Sequence, residues 1–268
     1  MKNFEFLFEK AQQGEKKRII VAAAEDDNVL LSIKDAVENN IVEPIFVGNK
    51  EKINKISNEI GFDANKYIII EENNSAKSAQ IAVSEIRNGN ADILMKGMVQ
   101  TSDFLRAILN KEAGLRNSDL LSHIGFFEMP AYHKIIALTD AAQNIAPDFN
   151  EKIAIVKNAI DMFHHLGNTN PKVAILTAVE SVNPKMPATI DAAMLTMMNK
   201  RGQIKGCVID GPLAFDNAIS KEAAEHKGII SEVAGDADLL VAPDIEAGNV
   251  LYKSFTFFGR GIVAAVVL

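Results

Sequence analysis

The sequence predicts an α/β protein with mainly parallel sheets. Short apolar, β-branched runs alternate along it with longer segments of helical period. Most neighbouring strand candidates are far enough apart to hold a crossover helix, as parallel pairing requires. One pair is not, and that pair marks a hairpin.

The elements follow in order. Arg18–Ala23 is the first strand candidate and Asp27–Asn39 the first helix. Pro44–Val47 comes next, then a helix over Lys50–Ile60 with Asn49 placed to cap it. After the strand Tyr67–Ile70, a helix spans Ser75–Arg87, where Ala79, Ala82, Val83 and Ile86 recur at helical spacing. Asn88-Gly89 ends it. Asp92–Met95 is a strand, and Thr101–Asn110 a helix with Thr101 as its expected N-cap. Ser122–Met129 and Lys134–Leu138 are separated by only Pro130-Ala131-Tyr132-His133, so they pair antiparallel. Helix Glu151–Leu166, strand Lys172–Ala178 and helix Pro187–Met198 resume the alternation, the last opened by a proline at its first turn. Strands Gly206–Ile209 and Asp238–Ala242, helix Glu246–Phe255 and strand Ile262–Leu268 complete the series.

The hairpin breaks the alternation near mid-chain, so the domain junction is expected at residues 140 to 150. Residues 1–140 plus 256–268 would form the first α/β domain, and 141–255 the second. In such folds ligands meet loops at the C-terminal ends of strands.

Composition narrows the function. With 268 residues and 48% hydrophobic content the chain can bury a sizeable core. A net charge of −7 and the absence of Trp argue against a nucleic-acid surface, which needs clustered cations and stacking rings. No apolar run approaches the roughly 20 residues of a membrane span. The start lacks a signal-peptide pattern, and the expected location is the cytoplasm. The single cysteine, Cys207, excludes an internal disulfide and reads as a small core residue.

Four segments could carry chemistry. Lys96-Gly97-Met98-Val99-Gln100-Thr101 runs from a strand end into a helix start, with a glycine for close approach and a lysine for charge. That suits a phosphate, although spacing alone favours an ordinary turn with Lys96 in solvent. Arg106, further along the helix, belongs to a substrate site or to a solvated face. Glu180 and Asn183 lie on a loop bracketed by prolines, equally open to loop chemistry and to a site. Asp210 and Asp216 would bind a ligand, or Asp216 would cap the next helix; a metal lacks a matching His or third carboxylate. Asn249 and Lys253, four apart, share one helical face. His164-His165 read as one exposed and one semi-buried residue, and His123 starts a strand. No GxGxxG, HExxH or Ser-His-Asp pattern is visible.

Together these segments resemble the phosphate acetyl/butyryltransferase family, closest to its phosphate butyryltransferase branch. The resemblance is carried by Ala91-Asp92-Ile93-Leu94-Met95-Lys96-Gly97, Phe104-Leu105-Arg106, Gly114-Leu115-Arg116, Ala178-Val179-Glu180 with Asn183-Pro184-Lys185-Met186, Asp210-Gly211-Pro212-Leu213-Ala214, and Gly248-Asn249 with Tyr252-Lys253. It runs almost continuously to about residue 254. It implies two α/β domains in a fold shared with isocitrate and isopropylmalate dehydrogenases, with a cleft between them. It also implies direct attack of a coenzyme A thiol on a short-chain acyl phosphate such as butyryl phosphate, with phosphate leaving and no metal or other cofactor. Coenzyme A is a substrate, and self-association is expected. On this resemblance Arg106 and Ser122 are catalytic, and Lys96, Gly97, Thr101, Asp140, Glu180, Asn183, Asp216, Asn249 and Lys253 bind substrate. Arg106 would neutralise the leaving phosphate.

The chain departs from the family after Tyr252-Lys253. The family's Ser-Arg pair and nearby Asp have no counterpart in Phe257-Phe258-Gly259-Arg260-Gly261 or in Ile262 to Leu268. This leads to an expectation of low activity and to an alternative, an inactive relative that binds coenzyme A or acyl phosphate as a sensor or partner. A metal- and nicotinamide-dependent dehydrogenase of the shared fold would need clustered carboxylates and an adenine-binding loop, and neither is evident.

Overall fold

A computed structural model describes residues 2–115 and 120–268. The chain forms two compact units, residues 7–117 and residues 1–6 with 118–268.

The first unit is built on a four-stranded parallel sheet ordered β3-β2-β1-β4, from β1 (Lys17–Ala22), β2 (Val42–Gly48), β3 (Ile68–Glu71) and β4 (Ile93–Lys96). Helices α2 (Asp27–Glu38), α3 (Lys50–Glu59), α4 (Ser75–Arg87) and α5 (Thr101–Ile108) join or follow the strands. Alternate residues of β1 face opposite sides, and both sides are covered. Ile20 and Ala22 pack with Ala79, Ala82 and Val83 of α4, while Val21 packs with Leu30 and Ile33 of α2 and Ile53 of α3. That double burial explains why β1 is apolar without alternation from Ile19 to Ala22. The strand order reverses around β1, so its C-terminal end and that of β4 border the switch point where ligands bind in open α/β sheets. Helix α1 (Phe4–Gln13) was not expected; none of its residues is buried, and its first residues read as a charged mix.

The second unit carries a six-stranded mixed sheet ordered β10-β5-β6-β9-β7-β8. Its strands are β5 (His123–Glu128), β6 (Ile136–Thr139), β7 (Lys172–Leu176), β8 (Val208–Leu213), β9 (Leu239–Val241) and β10 (Ile262–Val267). Strands β5 and β6 form the expected antiparallel hairpin, and β10 pairs antiparallel with β5. Helices α6 (Phe149–His165), α7 (Pro187–Lys200), α8 (Phe215–Ile219), α9 (Lys221–His226) and α10 (Ile245–Lys253) surround it. Phe127 is fully buried and meets Tyr252 and Phe255 edge-on, with ring centroids 5.0 and 5.1 Å apart.

The junction expected at 140–150 does not separate the sheets. The hairpin and β10 do belong together, but they join β7, β8 and β9 in one sheet, because β6 pairs in parallel with β9. Strand β8 also runs past the expected end at Ile209. Pairing with β7 carries it through Asp210-Gly211-Pro212 with a register shift, and the proline is tolerated because β8 is an edge strand.

At the opposite end of this sheet from the C-terminal strand ends, Lys134 and Lys172 converge on Asp236. Lys134 also reaches Asp238 at 2.7 Å, Lys172 Nζ lies 2.6 Å from Asp236, and His133 adds a contact at 2.9 Å. Partial burial opposes ionisation of Asp236, but the hydrogen bonds from Lys172, Lys134 and His133 outweigh it and hold the carboxyl well below its usual value.

Candidate functional site

In the first unit the expected segment stands at the end of β4. Gly97 donates its N–H to the carbonyl of Ala22, and Met98 donates to that of Ala23. A Cβ at Gly97 would collide with both carbonyl oxygens, so the residue is a steric requirement of this turn. Lys96 is exposed, with only a long 3.4 Å bond, to the Gly97 carbonyl, among the described residues. Thr101 is the first residue of α5, not its cap. The cap position is Gln100, whose side chain makes no capping bond, and Asp103 and Phe104 donate to its carbonyl. Thr101 and Ser102 are exposed at this start.

Arg106 lies on α5 and pairs with Asp103 at 2.6 Å. It borders a cavity of about 340 Å³ between α4 and α5, lined also by Ala76, Gln80, Ala107 and Asn110. Among the described residues no hydrogen bond joins Arg106 to Lys96 or Thr101. Arg116, part of the matching stretch, lies outside the described residues.

In the second unit most of the expected residues hold loops in place at the strand ends. Ser122 has no exposed surface. Its Oγ accepts from Asn158 Nδ2 at 3.0 Å, and its backbone exchanges two bonds with Leu268. As placed, its hydroxyl braces the start of β5 against α6 and does not meet solvent. Asp140 is 4% exposed, and its carboxylate accepts from the backbone N–H of His123, Ala142 and Gln143 and from Asn144 Nδ2. Asn249 Nδ2 donates to the carbonyl of Ala141 at 3.1 Å, tying α10 to the same loop.

Glu180 is half-buried and paired with Lys227 and Asn217. The hydrogen bond from Lys227 lowers its carboxyl from the ordinary value. Asn183 folds its own loop, accepting from the Lys185 N–H at 2.9 Å while its N–H donates to Thr189 Oγ1. Asp216 is exposed within the first turn of α8, whose cap position is Ala214, so it is not the cap. Lys253 is exposed at the end of α10.

His123, noticed in the sequence only as a strand start, is tied to this end of the sheet. Its backbone N–H goes to Asp140, its ring lies 5.7 Å from that of Tyr252, and its Nδ1 is buried without a partner. Cys207 is buried, which pushes its thiol up to about 11. His164 bonds the Gly206 carbonyl, while His165 is exposed. Among the described residues no group of three or more His, Cys, Asp or Glu is placed to hold a metal, and no helix is long and apolar enough to cross a membrane.

The i,i+3 spacing of Asp103 and Arg106 was a signal for their pairing. Nothing local could have joined Lys227 to Glu180 across 47 residues.

A family profile described as "Phosphate acetyl/butaryl transferase" matches residues 3–85 and 73–264. The chain is 48% identical over 257 residues to a phosphate butyryltransferase of Clostridium acetobutylicum, covering 96% of this chain and 85% of that one. The crystal structure of a branched-chain phosphotransacylase from Enterococcus faecalis V583 superposes with a TM-score of 0.82 at 34% identity, over 94% of this chain and 88% of that one. A structure described as a 4-hydroxythreonine-4-phosphate dehydrogenase from Salmonella typhimurium shares the fold, with a TM-score of 0.54 at 13% identity, over 90% and 85% of the two chains.

Proposed function

This chain belongs to the phosphate acetyl/butyryl transferase family, and we propose that it moves a short-chain acyl group between phosphate and coenzyme A. The observation that carries the reading is the exposed start of α5, where Lys96, Gly97 and Thr101 leave a lysine, a hydroxyl and an uncapped helix N-terminus beside a switch point. Such a start holds a phosphoryl group through backbone N–H groups, and Lys96 adds the charge that an acidic protein must supply locally. Arg106 is the second cation. Freed from Asp103, its guanidinium can hold phosphate oxygens bidentately and neutralise the leaving group.

In the second unit Asp216 and Lys253 are the exposed members of the expected substrate-binding set. Asp140, Glu180, Asn183 and Asn249 shape the strand-end loops that present them. The transfer needs no cofactor of the enzyme's own, since the thiol attacks the acyl carbonyl directly. A single cysteine suits the reducing cytoplasm, and self-association through the apolar edge strand β10, where Ile262, Val266 and Val267 are exposed, is part of the same reading.

The test is thioester formation from coenzyme A and acetyl, butyryl or isobutyryl phosphate. Turnover with at least one of them is expected. Calorimetric binding of coenzyme A with no turnover on any of the three would instead support the sensor alternative. Light scattering reads the oligomeric state.

A further inference from the structure

The cavity between α4 and α5 lies wholly within the unit of residues 7–117. Each helix turns one face to it. Ala76, Gln80 and Val83 recur at i, i+4 and i+7 on α4. Asp103 and Ala107 of α5, with Asn110 just past its end, repeat that spacing from the other side. Val83 and Ala107 are its buried members and Ala76 is half-buried. Ala113 also borders it, held there because its N–H donates to Asn110 Oδ1 at 2.9 Å. The four alanine and valine side chains carry no polar atom. At about 340 Å³ the space far exceeds the water-sized voids that packed interiors leave.

One cation stands at the edge of this apolar ground. Arg106 reaches back to Asp103 at 2.6 Å, one turn nearer the start of α5, as helical side chains lean toward the N-terminus. Its guanidinium is thereby drawn toward the exposed helix start, while its stem borders the cavity. In the acyl-transfer reading, on which this inference rests, Arg106 holds the phosphoryl group. The acyl carbon is joined to phosphorus through a single oxygen. The chain of an acyl phosphate on Arg106 therefore has to lie beside the guanidinium, and the cavity offers it apolar surface there.

We propose that this cavity seats the hydrocarbon chain of the acyl phosphate, and that Ala76, Val83 and Ala107 set the chain lengths accepted. At about 30 Å³ per heavy atom, the share of a water, the carbons of a butyryl group fill about 120 Å³ and those of a hexanoyl group about 180 Å³. Both fit within the space, and so do branched chains of similar size. Small side chains at these three positions keep it open.

Kinetics with acetyl, butyryl and hexanoyl phosphate test the proposal. In the parent, kcat/KM should rise from acetyl to butyryl phosphate. Ala76→Phe puts a ring into the cavity and should lower the butyryl-to-acetyl ratio of kcat/KM by about tenfold or more. Val83→Ala deepens the cavity and should raise the hexanoyl-to-butyryl ratio by about threefold or more. Opposite shifts on filling and on enlarging separate a chain seat from general damage. A ratio of two substrates on one sample does not depend on the folded fraction, so partial unfolding of a variant leaves the result readable. Should Ala76→Phe not fold at all, Ala76→Leu fills less of the space and its ratio should move the same way.

A flat series in the parent, a butyryl-to-acetyl ratio in the filled variant that stays at the parent's value, or a fall of the hexanoyl ratio in Val83→Ala would overturn the proposal. If the parent turns over none of the acyl phosphates, the acyl-transfer reading fails instead. Calorimetry with methyl-, propyl- and butylphosphonate then decides the seat alone. Affinity should rise about fourfold per methylene in the parent and stay level in Ala76→Phe, with equal affinities across the parent series counting against the seat.

Discussion

The two units treat the polar residues at their strand ends in opposite ways. In the unit of residues 7–117, Lys96, Thr101 and Arg106 are exposed, and Gly97 at the same turn is a steric requirement. In the other unit, Ser122, Asp140, Asn183 and Asn249 spend their hydrogen bonds on backbone and side chains of their own loops. One surface offers free donors on a rigid turn, while the other gets its shape from buried polar side chains. The same residue types in comparable strand-end loops therefore predict different mutant behaviour. The largest effect should come from Asp140→Ala. It strips the acceptor from four N–H donors around a carboxylate that is 4% exposed. At about 1–3 kcal/mol for each donor left buried and unpaired, a loss of at least about 3 kcal/mol in urea unfolding is expected. Asp140→Asn, which keeps one oxygen, should lose less. A loss below about 1 kcal/mol for Asp140→Ala would erase the contrast between the units.

Next in size is Gly97→Ala. Its Cβ would strike backbone carbonyl oxygens of Ala22 and Ala23, which cannot rotate away. Overpacking of this kind costs about 2–3 kcal/mol, and the turn that positions Lys96 would shift with it, so stability and turnover should fall together. Arg106→Ala should separate them. Its partner Asp103 is on the same helix and the arginine side chain is 75% exposed, so thermal unfolding should barely move. If Arg106 holds the phosphoryl group, kcat/KM for acyl phosphate should drop about 10- to 100-fold, the worth of one charge-assisted hydrogen bond. Unchanged kinetics would remove it from the site and leave the solvated helical face.

How much of this could be read beforehand follows from the range of each interaction. Helix α4 was legible to the residue because its apolar spacing and its Asn88-Gly89 stop are local. The hairpin was legible because its connection is too short for anything else. The role of Gly97 was legible as a tight turn, although not which carbonyls demand it. The sheet boundary was not legible, because β6 pairs with β9 across about a hundred residues and no local pattern records such a pairing. The burial of Ser122 depends on Asn158 of α6, 36 residues away, and on Leu268, further still along the chain. Strand β8 was cut short because Gly-Pro reads as a turn unless the strand is known to lie at an edge.

The smallest expected effect compares one chemistry in the two units. Arg18–Asp92 in the first is an exposed pair, with side chains 41% and 37% accessible. In the second, Asp236 takes contacts from two lysines and His133 at 25% accessibility. Exposed pairs contribute little, because water and ions screen them and ordering long side chains costs entropy. Asp92→Asn should therefore leave the unfolding curve unchanged. Asp236→Asn should cost about 1 kcal/mol at pH 7, as expected for a partly shielded network at the upper end of that range. The sign of the pH dependence follows from the depressed folded-state value. The Asp236 contribution is complete above the ordinary 3.8 and is lost as pH falls below it. Parent and Asp236→Asn should thus differ in urea midpoint at pH 7 and converge as the pH is taken below 3.8, whereas parent and Asp92→Asn should coincide throughout. A gap for Asp236→Asn that stays constant as the pH falls through the depressed folded-state value would mean that its side chain acts through packing and not through charge.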